Sequence, residues 1–258
     1  MNQFREKNFK GDTLSHKDDP IYKYIKLKYL LSMLDNSKMR VDKTSSWDDV
    51  YENFIYKHLF KLNDNRLVSS DNLIQYVYGM SWTYLEESDA MWRIYSNKTD
   101  IQESAIRVKT SIGRLFNVIY PDVLEDREEM ATTFIGFVEY YNDADLKNWI
   151  KQRSPINFSN ISEIISDSFF IKRNPFDHEK ELRIIINKAS ENSNPCQKYL
   201  EFDIVPMTLF DEFVIDPRLN EEDCNQVKKL LLSKNIPNDR IRQSDLYKFE
   251  PDIIDFDL

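Results

Sequence analysis

Glycine is scarce, at four residues in 258. Neither G-x-G-x-x-G nor G-x-x-x-x-G-K can be assembled from them. This removes the two glycine-rich loops that cradle phosphates with backbone amides, and leaves nucleotide binding by another architecture open. Cysteine is scarcer still. Cys196 and Cys224 stand 28 positions apart without a C-x-x-C, which argues against zinc fingers and a disulfide framework and suits a reducing cytoplasm. The three histidines, His16, His58 and His178, are too widely spread for ligand spacing, so no metal is expected. They accompany no recognisable Ser or Cys elbow, so no nucleophilic triad is expected either. Positive charge is in deficit, with a net charge of −9. Duplex DNA binding leans on Lys and Arg to neutralise phosphates, so duplex nucleic acid is not the expected partner. No apolar run approaches the roughly 20 residues that a membrane helix needs, and the polar opening MNQFREKNFKGD carries no secretory signal. The expectation is a cytoplasmic protein that does not enter a membrane.

What is present is enough for a packed core, with 41% hydrophobic and 31% charged residues. No repeat and no low-complexity linker marks a boundary. Residues 1–19 read as a loose polar arm and residues 20–258 as a single domain. The two-residue period predicts strands over 22–25, 39–41, 79–83, 103–110, 131–140, 182–186, 198–205, 210–215 and 240–244. Leu27, Leu30, Leu31 and Leu34 mark an apolar helical face that ends near Asn36. Further helices are predicted over 50–62, from Ala90 to Tyr95, and over 111–119, 143–149, 160–170 and 221–232. Strands and helices alternate irregularly, which predicts an α+β fold with a mixed, largely antiparallel central sheet flanked by helices.

The stretch FFIKRNPFDHEKELRIIINK, residues 169 to 188, carries the densest chemistry. In a strand, Glu179, Glu181 and Arg183 share one face and Leu182, Ile184 and Ile186 the other. Neighbouring carboxylates repel unless a cation, a hydroxyl or water stands between them. At an active site this leaves one with a shifted pKa, fit to serve as acid, base or anchor. The plainer alternative is an exposed polar face over a buried apolar one. Lys172 and Arg173 suit a phosphate, or are simply solvated. Ser81 and Thr83 share one strand face with Trp82 opposite, a pattern that a plain core strand also shows. Met91 and Tyr95 share a helix face, as do Trp92 and Ser96. The rings of Trp92 and Tyr95 beside Arg93 suit stacking on a base or a nicotinamide, or the packing of a helix. Tyr22 and Tyr24 share one face of the first strand, with Lys23 on the other.

Several blocks together resemble a bacterial family known as a domain of unknown function. They are Y-K-Y (22–24) with its L-x-x-L-L helix, M-R-V (39–41), W-D-D-V-Y-E (47–52), S-W-T (81–83) with E-S-D-A-M-W-R-I-Y-S-N-K (87–98), K-R-N-P-F-D-H-E-K-E-L-R-I-I-I (172–186), F-V-I-D-P-R (213–218) and R-Q-S-D-L-Y (242–247). The likeness covers most of residues 20 to 248 and implies no activity. The order of an aromatic strand and helix, an S-x-T strand and a later E-x-E also resembles the arginine-serine-glutamate branch of the ADP-ribosyltransferase fold. That resemblance implies NAD as substrate, held by Ser81-Trp82-Thr83 in the place of S-T-S. It makes Glu179-Lys180-Glu181 the E-x-E, with Glu181 orienting a ribose hydroxyl and stabilising an oxocarbenium-like transition state. Tyr95 or Trp92 would stack on the nicotinamide. Two positions depart from the pattern: Lys23 stands where Arg or His is expected, and Trp82 replaces the central Thr. The implied function is an NAD-dependent ADP-ribosyltransferase-like enzyme or NAD glycohydrolase, in the setting of a toxin or antiphage defence. The alternatives are a noncatalytic protein- or nucleotide-binding module and a nucleic-acid-modifying enzyme. Glu181 and Glu179 are the catalytic candidates; the rings, hydroxyls and cations named above are the candidates for a small nucleotide ligand. No macromolecular acceptor is legible.

Overall fold

Alternation along the first strand sets up the two faces of the sheet. Ile21 and Ile25 enter the main core, and Tyr22 and Tyr24 point to the opposite side. The computed structural model describes residues 6–49, 51–61, 64–69, 71–125, 132–153, 161–188 and 194–252. The chain runs through β1 (Pro20–Lys26), α1 (Leu27–Asn36), β2 (Lys38–Lys43), β3 (Leu59–Lys61), β4 (Leu67–Ser69) and β5 (Val77–Thr83). It continues through α2 (Asp89–Tyr95), β6 (Ala105–Ser111), α3 (Ile112–Glu125), β7 (Thr132–Phe137), β8 (Glu139–Tyr141), α4 (Asp143–Gln152) and α5 (Ile161–Ser168). It closes with β9 (Ile171–Arg173), β10 (Glu181–Asn187), β11 (Tyr199–Asp203), β12 (Glu212–Ile215), α6 (Glu221–Ser233) and β13 (Ile241–Gln243).

Among the described residues nine strands make one sheet in the order β11-β2-β5-β1-β6-β12-β13, with β10 and then β7 branching from β5. Its pairings among the described residues are antiparallel apart from β12 with β13. This is the α+β domain with a largely antiparallel sheet flanked by helices that the sequence predicts. Strand β5 decides its shape. One edge pairs with β10 along its whole length, from Thr83 opposite Glu181 to Val77 opposite Asn187. The other edge is shared: Tyr78 and Gly79 pair with Lys43 and Asp42 of β2, and Thr83 pairs with Tyr22 of β1. Between those contacts β1 and β2 splay apart and leave a slot beside Met80, Ser81 and Trp82.

One sheet face carries the largest core, where α3 contributes Leu115, Phe116 and Ile119 and α6 contributes Val227 and Leu231. Each such buried side chain is worth about 1.5–3 kcal/mol of transfer free energy. The opposite face is covered in part by α2, whose Met91 and Trp92 pack on Tyr24 and Val214. Beside β10 it is covered by Tyr56, Phe169 and Phe170. Both faces of β10 are therefore buried, and its polar row is not a solvated edge.

Three local expectations change. The helix predicted over 50–62 is a 3₁₀ turn (Phe54–Lys57) followed by β3, with residues 50 and 62 outside the described residues. Asn53 adopts the left-handed region (φ 61°) and residues 52 to 56 are buried in succession, which one face of a helix cannot provide. The strand predicted over 131–140 breaks at Val138, whose N–H turns to the Glu181 carbonyl (2.9 Å); residue 131 lies outside the described residues. The polar N-terminal stretch, described from residue 6, is not loose. Phe9 is buried against Phe116 with ring centroids 4.7 Å apart, Lys10 N–H donates to the Ile135 carbonyl (2.8 Å), and the Lys10 ammonium pairs with Asp167. One apolar anchor suffices where composition shows only polarity. Among the described residues no helix is long and apolar enough to cross a membrane.

Candidate active site

The slot in the sheet opens into two adjoining compartments. The outer one, about 600 Å³, lies between β1, α1, β2 and β11, within the range that holds small-molecule ligands. Its walls include Tyr29 of α1 and Tyr199 of β11, with the Arg40 guanidinium stacked 3.9 Å above the Tyr199 ring. The inner one, about 80 Å³, sits on the opposite sheet face under α2 and has Ser81, Thr83, Glu179 and Glu181 at its base. Lys23, Tyr24, Trp82 and Tyr95 line both. Lys23 bridges the slot: its ammonium donates to the Ser81 carbonyl (2.6 Å), a group that sheet pairing leaves open there. Burial lowers this ammonium to about 8, against the pull of Glu181 and Asp42.

The inner base is a buried charge cluster. Lys172 of β9 donates to Glu181 (2.6 Å) and Glu179 (2.8 Å) and lies 3.6 Å from Glu52. The Arg183 Nε–H donates to Glu181 (2.7 Å), its Nη1–H to the Phe169 carbonyl (2.8 Å) and its Nη2–H to Glu52. The Glu181 amide donates to the Tyr140 hydroxyl (2.8 Å), which fixes the strand start beneath the pocket. Glu181 is only 3% exposed. Burial opposes its charge, yet the Arg183 guanidinium, a hydrogen bond from Glu179 and Lys172 hold its carboxyl far below the ordinary carboxylate range. Burial and the hydrogen bond to Glu181 push Glu179 the other way, up to about 7. The pair thus divides into an ionised carboxylate and a neighbour that keeps its proton to near neutrality, the separation that acid and base roles demand.

Tyr95 closes the pocket from α2. The residue is 38% exposed, and its ring lies 22° from parallel to that of Tyr24, with centroids 6.3 Å apart. Its phenol is raised, first by burial and then by Glu179, Glu181 and Glu52. The helix is pinned from below. Asp216 accepts from Ser96 (2.5 Å) and Arg218 (2.6 Å), and Arg218 also donates to the Trp92 carbonyl (2.6 Å).

The structure therefore gathers Tyr22, Lys23, Tyr24, Ser81, Thr83, Tyr95, Glu179 and Glu181 around one cleft, from three strands, a helix and a turn. Other expectations are corrected. Glu179 is not a strand residue. It ends a 3₁₀ turn, and Lys180 in the left-handed region (φ 44°) swings the chain so that Glu179 and Glu181 still meet at Lys172. Trp92 cannot stack on a ligand: it is fully buried, T-shaped against Tyr24 at 4.7 Å, with its indole N–H on Glu87. Arg93 faces away, paired with Asp89 (2.8 Å). Arg173 binds Asp49 (2.9 Å) and covers the Tyr51 ring. Lys172 and Arg183 lie behind the carboxylates and serve them rather than a ligand. Glu52, Tyr140 and Tyr199 escaped the sequence reading. W-D-D-V-Y-E was noted for resemblance without a role for Glu52. Trp82, placed by the sequence on the face opposite Ser81 and Thr83, lines both compartments, and among the described residues its buried indole N–H has no hydrogen-bond partner. Among the described residues no group of three or more His, Cys, Asp or Glu is arranged to hold a metal.

No protein-family model and no curated protein matches the chain. The sequence blocks noted above therefore gain no support from either comparison. Solved structures of DarT from Thermus sp. 2.9 are similar at low identity. The complex with NAD+ is 10% identical with a TM-score of 0.38, covering 90% of this chain and 98% of that one. The complex with ADP-ribosylated single-stranded DNA is 12% identical with a TM-score of 0.36, covering 90% and 97%. A likeness this distant transfers no residue role.

Proposed function

We propose that the cleft binds NAD and that the protein is an ADP-ribosyltransferase-like enzyme that breaks its nicotinamide–ribose bond. The carrying observation is Glu181, an ionised carboxylate buried at the base of a two-chambered cleft that is also lined by the rings of Tyr24 and Tyr95 and by Lys23. An N-glycosidic bond to a pyridinium breaks with positive charge building on the ribose ring. A fixed carboxylate beneath that ring stabilises the transition state more than the ground state. The nicotinamide leaves with the bonding electron pair as a neutral base, held against Tyr95 over Tyr24. The acceptor attacks C1′ and gives up its proton to Glu179, whose carboxyl near 7 suits a base at neutral pH. Lys23, between the compartments, meets the pyrophosphate, and the outer compartment takes the rest of the dinucleotide. With water as acceptor the same groups perform NAD hydrolysis.

Calorimetric titration with NAD and a nicotinamide-release assay on wild type and Glu181→Gln test this. Binding by both and release by wild type alone is the expected result; no heat and no release from wild type removes the proposal. We attach to it the setting of a toxin or antiphage effector. Induced expression in bacteria then arrests growth with Glu181 present and not with Glu181→Gln, and equal growth of both strains refutes that setting.

A further inference from the structure

Trp47, Asp49 and Glu52 have no part in the chemistry above, yet they are built into the back of the site. Trp47 lies with its ring 4.6 Å from the Arg183 guanidinium. It also fills the space that Gly79 leaves open, where a Cβ would fall 2.6 Å from its ring. Asp49 pairs with Arg173 (2.9 Å), and Glu52, 7% exposed, accepts from Arg183 and lies 3.6 Å from Lys172. A bare aromatic plug would have covered β10 without burying a third carboxylate, which costs desolvation.

We propose that Glu52 is a positioning residue: by holding both Arg183 and Lys172 from behind, it sets how much positive charge these cations offer to Glu181 and Glu179. The groups around Glu179 are Glu181 and Arg183 on β10, Lys172 on β9, Tyr140 on β8, Tyr95 on α2, Lys23 on β1 and Glu52 itself. Glu52, Glu179 and Glu181 are ion-paired with two cations, Lys172 and Arg183, while Lys23 donates to the Ser81 carbonyl instead, so the ion-paired group carries one surplus negative charge when all its members are ionised. That surplus adds to burial and the hydrogen bond with Glu181 in keeping a proton on Glu179. Removing the Glu52 charge balances the cluster, and Glu179 releases its proton at lower pH. The part played in catalysis rests on the NAD reading; the control of protonation does not.

The test is the carboxyl titration of Glu179 by ¹³C NMR, assigned with Glu179→Gln, in wild type and Glu52→Gln. The amide keeps the acceptor for Arg183 and removes the charge. The expected result is a Glu179 midpoint lower by about one pH unit, as for one charge screened by protein across a few ångströms. The rising limb of the nicotinamide-release pH profile should move with it. A midpoint unchanged within about 0.3 pH unit in a cooperatively folding variant overturns the proposal. If Glu52→Gln does not fold, Lys172→Gln is compared with Glu52→Gln/Lys172→Gln, which restores the wild-type net charge of the group. The double variant should titrate lower than the single, and equal midpoints again overturn the proposal. Absence of nicotinamide release from wild type removes the NAD reading and leaves the NMR comparison decisive for Glu52.

Discussion

Glu179→Gln gives a thermodynamic handle on the carboxylate pair that needs no substrate. The Glu179 carboxyl is raised from 4.5 to about 7, so the folded state holds a proton that the unfolded chain releases. Between those values the native protein binds more protons than the unfolded one, and stability falls as pH rises through the window. Glu181 works in the opposite sense. Its carboxyl is held low, so its contribution is present above 4.5 and is lost only as pH falls below that. Comparing pH 5 with pH 8 leaves Glu181 out, and comparing wild type with Glu179→Gln at both removes the groups that titrate alike in the two proteins, such as Lys23. At about 1.4 kcal/mol per pH unit, a rise to about 7 takes roughly 2 kcal/mol from the wild-type protein between those two pH values. Glutamine has no proton to hold and removes the loss. His16, raised by its hydrogen bond with Asp19, titrates alike in both proteins and cancels. Urea denaturation of both proteins at the two pH values reads the difference of differences. Glu179→Gln should gain about 2 kcal/mol on wild type at pH 8 relative to pH 5. A gain under about 0.5 kcal/mol refutes the paired-carboxylate account.

Lys23→Met should weaken ADP-ribose binding at least tenfold at pH 7, since a pyrophosphate loses the buried cation that lines both compartments. In wild type the affinity should fall as pH rises through about 8, where this ammonium discharges; calorimetry showing constant affinity to pH 9 contradicts the assignment. Gly79→Ala forces a Cβ to 2.6 Å from Trp47 and 2.9 Å from Thr44. It should cost about 1–3 kcal/mol and expose Trp47 to water, seen as a red-shifted emission; an unshifted spectrum with an unchanged melting temperature counts against the fitted loop. Asp216→Ala removes the acceptor for Ser96 and Arg218 from a fully buried position, at a cost of about 3 kcal/mol in urea denaturation. It should also lower affinity for the nucleotide by freeing α2 and Tyr95, and a variant as stable as wild type refutes the clasp.

Local chemistry was legible where one short element decides the outcome. The alternation at 22–25, the leucine face at 27–34 and the apolar row of β10 follow from periods of two and 3.6 residues, and these appear in the chain as strands and helix. That Glu179 and Glu181 come together was likewise legible from two acids two positions apart. Their partners were not. Arg183 and Glu52 stand 131 positions apart, and no periodicity reports a contact at that range. Trp92 and Tyr95 look equivalent as rings on one helix, yet rotation about the helix axis buries the first and turns the second into the cleft. The sequence alone determined which segments alternate, which are amphipathic and that too few glycines exist for a phosphate loop. Only the tertiary structure decided that β1 and β2 share one edge of β5 and leave a slot between them. Strand register and side-chain orientation are set by packing over the whole chain, and it is these that turn a row of charges into a buried, unequal pair of carboxylates.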